Sequence, residues 1–161
     1  MKDISEVLDN TKYQVFICAS HAHIPFSLAM HSWIVINKKG TLERWEVLFT
    51  AKDDVDSWGH LHKDTLPPFQ GISILPFIKK YFWKSMLLGF IEGEEGSYVN
   101  RVIHFIEQAK NTYPYRYTYI LTGPNSNTFV EWVLDAFPEF KLKLPIEFIG
   151  KQYGKSSNYS S

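Results

Sequence analysis

Two runs rich in β-branched and aromatic residues, HSWIVIN (31–37) and TLERWEVLF (41–49), stand three residues apart, joined by KKG. Strand formers this close satisfy their backbone groups most directly by pairing back on each other. Gly40 supplies the turn, so the spacing predicts an antiparallel hairpin. Side chains two apart on a strand share a face, which sets His31 with Trp33 and Val35. Either two-residue turn within 38–40 brings Glu46 opposite His31 or Trp33 on that face. A carboxylate so placed can orient an imidazole and stabilise its charged form, or form only a cross-strand polar pair.

The rest of the chain builds around that hairpin. YQVFICAS (13–20) reads as a buried strand. Residues 50–70, polar and Pro-rich, read as a long surface loop. A short helix around PFIKKYFW and then a strand, SMLLGFIEG, are expected over 71–92. In SYVNRVIHFIEQAKN, Val99, Val102, Ile103 and Ile106 recur at helical spacing, and Tyr113-Pro114 ends the helix. YRYTYIL (115–121) alternates like a strand. FVEWVLDAF (129–137) is helical up to Pro138, and KLKLPIEFIG offers a last strand or extended edge. The expected fold class is α+β, an antiparallel-rich sheet flanked by two or three helices. One domain over 1–153 and a disordered polar tail over 154–161 are expected.

At 161 residues the chain has room for a core, and 45% of it is hydrophobic. Seventeen basic residues balance seventeen acidic ones with no like-charge block, so the basic stripe a nucleic-acid binder needs is missing. The single Cys18 excludes an internal disulfide framework and sits in an apolar run as a small hydrophobe. MKDISEVLDNTK lacks the apolar stretch of a signal peptide, and no run approaches the ~20 apolar residues of a membrane span. A cytoplasmic protein with no transmembrane segment is the expectation.

GPNSNTF (123–129) raises the question of chemistry. Ser126 precedes Phe129, Val130 and Val133 by three, four and seven residues, so a helix begun by residue 126 turns Ser126 toward the sheet. There it meets unpaired N–H groups and the positive end of the helix dipole, which stabilise a developing anion. The competing reading is a cap: Asn and Ser lead among N-cap residues, and Thr128 with Glu131 fits a capping box that starts the helix later. Gly123 and Pro124 fix the preceding turn. Ser126, His31 and Glu46 are the candidate catalytic residues. Asn125, Asn127, Thr128, Trp33 and Gly123 are the candidate pocket.

Two H-x-H pairs, His21 with His23 and His60 with His62, could chelate zinc or copper, with Asp56 or Asp64 as a further ligand. Both flank expected loops and no catalytic metal motif accompanies them, so no metal and no cofactor is expected.

TYPYRYTYILTGPNSNTFVEWVLDAFPEF, the later LPIEFIGKQYG and the upstream HSWIV resemble the hallmark segments of a bacterial domain-of-unknown-function family. Its members carry Tyr-Pro-Tyr, then Pro-Gly-Pro-Asn-Ser-Asn-Thr-Phe, then Gly-Lys-Asp-Tyr. This chain departs at Thr122, where the family usually has Pro, and at Gln152, where it has Asp. The pairing of HSWIV with NSNTFV is also distantly similar to the circularly permuted branch of the papain-like NlpC superfamily, which includes lecithin-retinol-acyltransferase-like proteins. That resemblance implies a hydrolase or acyltransferase acting on an amide or ester, with Ser126 at the nucleophilic Cys position and His31 as base. Ser in place of Cys leaves open a pocket without catalysis, since a hydroxyl depends more on its base than a thiol does. An enzyme with a small-molecule, peptide or lipid-like substrate, a non-catalytic ligand-binding domain and a His-based metal protein are the classes carried forward.

Overall fold

Residues 3–155 are described by a computed structural model of the protein. After a single helical turn, α1 (Ile4–Val7), strand β1 (Tyr13–His21) pairs antiparallel with β2 (Met30–Lys38) along its whole length. The expected hairpin joins β2 to β3 (Thr41–Asp54). Its two turn residues both have positive φ, 50° at Lys39 and 95° at Gly40, the geometry that matches the right-handed twist of the strands. Strand β4 (Ser57–Lys63) extends the sheet beyond β3, and β7 (Met86–Gly93) pairs with β1 at the other edge. The order is β4-β3-β2-β1-β7, every pair antiparallel.

Helices α2 (Tyr98–Thr112) and α3 (Ser126–Ala136) cover one face of this sheet. Ile34, Ile36, Val15 and Ile17 meet Val102, Ile106, Phe129 and Val133 there. Fully burying a large apolar side chain contributes about 1.5–3 kcal/mol before entropy, so Phe129, Val130 and Val133 anchor α3 firmly on β2. The other face carries Phe16, Cys18, Trp33 and Val35, covered by Val7, Leu8 and Phe69. With both faces covered, seven consecutive residues are buried in each of β1 and β2. This is why those strands read as near-continuous apolar runs. The result is a mixed α+β protein with an antiparallel sheet and three helices.

Several segments differ from the sequence reading. Residues 50–70 are largely strand: β3 continues to Asp54 and β4 follows, with a register shift between Val47 and Lys52. The exposed side chains of 49–54 hide that strand from any burial pattern. PFIKKYFW is no helix. It belongs to a separate two-stranded hairpin, β5 (Ser73–Leu75) and β6 (Ile78–Phe82). Pro76 and Phe77 turn it, and Phe77 at φ 68° occupies the position where a type II turn requires positive φ. YRYTYIL forms turns instead of a strand, reaching the β4 edge through one backbone bond, His60 N–H to the Arg116 carbonyl. The KLKLPIEFIG segment adds no strand, and Pro145 within it cannot donate to a ladder.

Of the expected polar tail, Gly154 ends a 3-10 turn (Lys151–Gly154) packed on α3, while residues 156–161 lie outside the described residues. Among the described residues, no helix is long and apolar enough to cross a membrane.

Candidate active site

Helix α3 begins at Ser126 because Asn125 caps it. The Asn125 Oδ1 accepts from the N–H of Asn127 at 3.0 Å and of Thr128 at 3.4 Å, while the Thr128 hydroxyl accepts from Asn125 N–H at 2.9 Å. The capping box is therefore Asn125 with Thr128, three residues earlier than the Thr128–Glu131 box considered from sequence. Ser126 becomes the first residue of the helix and caps nothing. Among the described residues neither its hydroxyl nor its backbone N–H has a hydrogen-bond partner.

The closing segment holds this helix start in place. Asn125 Nδ2 and Asn127 Nδ2 both donate to the Ile149 carbonyl, at 3.0 and 2.9 Å, and Thr128 Oγ1 donates to Gly150 O at 2.7 Å. Asn127 also ties α3 to β2, donating to the Met30 carbonyl at 2.9 Å and accepting from Ser32 Oγ at 2.8 Å. The backbones approach so closely that a Cβ on Gly123 would lie 2.7 Å from Gly150 Cα, and one on Gly150 2.5 Å from the Asn125 amide. Both glycines also have positive φ, 111° and 93°. GPNSNTF and IGKQYG are thus two halves of one joint.

At the start of β2, His31 is buried, and its Nε2 lies 3.0 Å from Glu46 Oε2. The same oxygen accepts from Arg44 Nη2 at 2.8 Å. Arg44 is fully buried, its guanidinium 4.1 Å from the Trp33 ring centroid, and it donates to the carbonyls of Pro67 and Gln70. Burial pushes the Glu46 carboxyl up, but the Arg44 charge and the bonds from His31 outweigh it and hold the acid below its usual range. Burial lowers His31 below 6.5 against the opposing pull of Glu46. The imidazole is therefore neutral at neutral pH. With Nε2–H donating to the carboxylate, Nδ1 keeps its lone pair and has no partner among the described residues.

His31 and Ser126 line the same cavity, of about 330 Å³. Its walls include Met30, Leu48, Tyr119 and Ile149, and among the described residues no acid lines it. No hydrogen bond joins Ser126 Oγ to His31. Asn125 and Asn127 reach the wall with their amides already spent on the joint just described. Trp33, Thr128 and Gly123, expected in the pocket, do not line it: Trp33 sits beneath Arg44, and the other two belong to the joint. Arg44 was not singled out from sequence, because a lone charge on a strand reads as solvent-facing.

The four H-x-H histidines do not converge. Each has a ring nitrogen on a backbone carbonyl: His21 on Ser27, His23 on Ser73, His60 on Leu48 and His62 on Thr50. Ser57 Oγ occupies the other nitrogen of His62 at 2.8 Å. Among the described residues no group of three or more His, Cys, Asp or Glu side chains could hold a metal ion. Cys18 is buried, and desolvation raises its thiol to about 12, far from a reactive thiolate.

Fold and cavity together define an α+β domain in which a helix start and a buried histidine bonded to a carboxylate line one largely apolar chamber. The chain belongs to the family described as Protein of unknown function (DUF3750), whose model matches residues 11–153. Comparison with curated proteins found no match, and comparison with solved structures found none either.

Proposed function

We propose that this protein is a papain-like, NlpC-type hydrolase or acyltransferase of the cell interior that acts on an amide or ester, with Ser126 in place of the usual Cys. The observation that carries the reading is the shared chamber. Ser126 opens a helix with its hydroxyl unpartnered, and His31, neutral and oriented by Glu46, lines the same chamber. In the proposed step Ser126 Oγ attacks the substrate carbonyl and His31 Nδ1 takes its proton, which then goes to the leaving group. The unpaired Ser126 N–H at the positive end of the helix stabilises the oxyanion. The absence of a direct Ser126–His31 bond favours a second reading, a non-catalytic pocket that binds the same class of ligand. Apo sites often tighten only with substrate, so the test must be chemical. A fluorophosphonate probe should label the wild-type protein at Ser126, with labelling lost in Ser126→Ala and strongly reduced in His31→Gln. Wild-type protein that neither reacts with the probe nor hydrolyses p-nitrophenyl esters would leave the binding reading.

A further inference from the structure

The chamber has an unusual mouth. Phe26 and Phe49 line it yet are 56% and 69% exposed, so they form its rim. A second cavity of about 380 Å³ adjoins the first, sharing His23, Leu48, Phe49 and Ile72 with it. Its rim carries Phe77, which is 92% exposed at the tip of the β5–β6 hairpin. Hairpin and rim loop are one surface: Ile24 N–H donates to the Ile74 carbonyl at 2.9 Å, and Trp83 Nε1 to the Ala22 carbonyl at 3.1 Å. Large aromatic side chains left in water around one opening are not accounted for by the fold.

Charge is of one sign on the hairpin side of this surface, whereas on the neighbouring β3 Lys52 pairs with Asp54. Acidic and basic residues balance over the whole chain, yet residues 65–91 contain Lys79, Lys80 and Lys84 and no Asp or Glu. Residues 22–30 contain no Lys, Arg, Asp or Glu, and among the described residues neither cavity is lined by an acid. Lys79 and Lys80 make no salt bridge among the described residues. Exposed aromatics flanked by lysines without a carboxylate partner, Lys80 lying 5.4 Å from the Tyr81 ring centroid, match the two layers of an anionic bilayer surface, acyl boundary below and phosphate above.

We propose that this rim seats on an anionic lipid surface, with Phe77, Phe26 and Phe49 entering the interface and Lys79 and Lys80 meeting lipid phosphates, so that the chamber opens toward the membrane. A polar partner protein would leave the aromatics uncompensated, and a second copy would set like-charged lysines together. The proposal rests on the rim and not on Ser126. Ser126→Ala should bind lipid like wild type, so failure of the chemistry and failure of docking are distinguishable.

Co-sedimentation with vesicles tests it. Wild-type protein should partition onto vesicles of equal parts phosphatidylcholine and phosphatidylglycerol, and far less onto phosphatidylcholine alone. Lys79→Gln with Lys80→Gln should weaken the anionic binding by about tenfold or more at low salt, since each surface charge acts directly on the lipid potential. Phe77→Ser should weaken binding to both. These side chains are exposed, so melting temperatures should be unchanged, and either variant alone can carry the test. No binding to anionic vesicles, or binding indifferent to both variants, would overturn the proposal. So would a dimer in sedimentation equilibrium that Phe77→Ser dissociates, which would assign the rim to a second copy.

Discussion

Arg44 and Glu46 are two charges deep in a protein whose surface charges balance, and they are held there by each other. Glu46 Oε2 takes both Arg44 and His31, and Arg44 reaches two carbonyls of the covering loop. Removing one partner of such a pair leaves the other uncompensated, at about 3–5 kcal/mol, while removing both costs much less. Arg44→Met should therefore lower stability to urea by that amount, and Arg44→Met with Glu46→Leu by clearly less. A double variant as unstable as the sum of the singles would mean the pair acts independently. Ser126 and Asn125 make a second contrast. Asn125→Ala removes the cap and should cost at least the ~0.5–2 kcal/mol of a lost cap. Ser126→Ala, which removes no hydrogen bond, should leave the melting temperature nearly unchanged. Equal losses in the two would restore the capping role to Ser126.

Between elements, the joint of the α3 start with residues 149–154 sets where Ser126 points. Gly123 is one of its tight points: φ 111° and a Cβ position 2.5 Å from the Tyr153 ring. Gly123→Val should destabilise the domain by about 1–3 kcal/mol, the range for a side chain forced into a strained backbone region. An unchanged denaturation curve would show that the joint yields freely. The hairpin and both long helices were legible in sequence because burial gave them a period. Val99, Val102, Ile103 and Ile106 mark one helix face, and His31, Trp33 and Val35 one strand face. The 115–121 alternation misled because alternation signals a strand only where an edge is free to pair, and among the described residues one backbone bond, at His60, joins it to the sheet edge. Lys79 and Lys80 in β6 misled oppositely, since a two-stranded hairpin outside the main sheet buries too little to show a pattern. Positions 31, 46 and 126 could be read from the same periods. The loop carbonyls that hold Arg44 could not, because no local rule brings residues 67–70 over β3.

For the whole molecule, the buried groups fix how stability and activity follow pH. His31 and His62 are both lowered, chiefly by burial. In the unfolded chain each takes a proton near 6.5; in the folded protein each does so only at lower pH. The unfolded state therefore binds more protons in that window, and stability present above pH 6.5 is lost as pH falls toward the folded values. Glu46, lowered by Arg44 and His31 against its own burial, continues the loss below 4.5. Glu131, raised by burial, opposes it. Each histidine can contribute at most about 1.4 kcal/mol per pH unit. Urea midpoints should thus fall between pH 7 and 5, and His62→Gln should make that slope shallower while leaving the chamber intact. The same shift governs the proposed chemistry. A base must be unprotonated, and His31 stays neutral below the ordinary imidazole value while Glu46 keeps Nε2–H engaged. The acid limb of kcat/KM for an ester substrate should then have its midpoint below pH 6.5. Glu46→Gln should slow turnover and move that midpoint further down, because the neutral amide no longer stabilises imidazolium. A midpoint above 6.5 in the wild type, or one that Glu46→Gln moves upward, would remove His31 from the role of base.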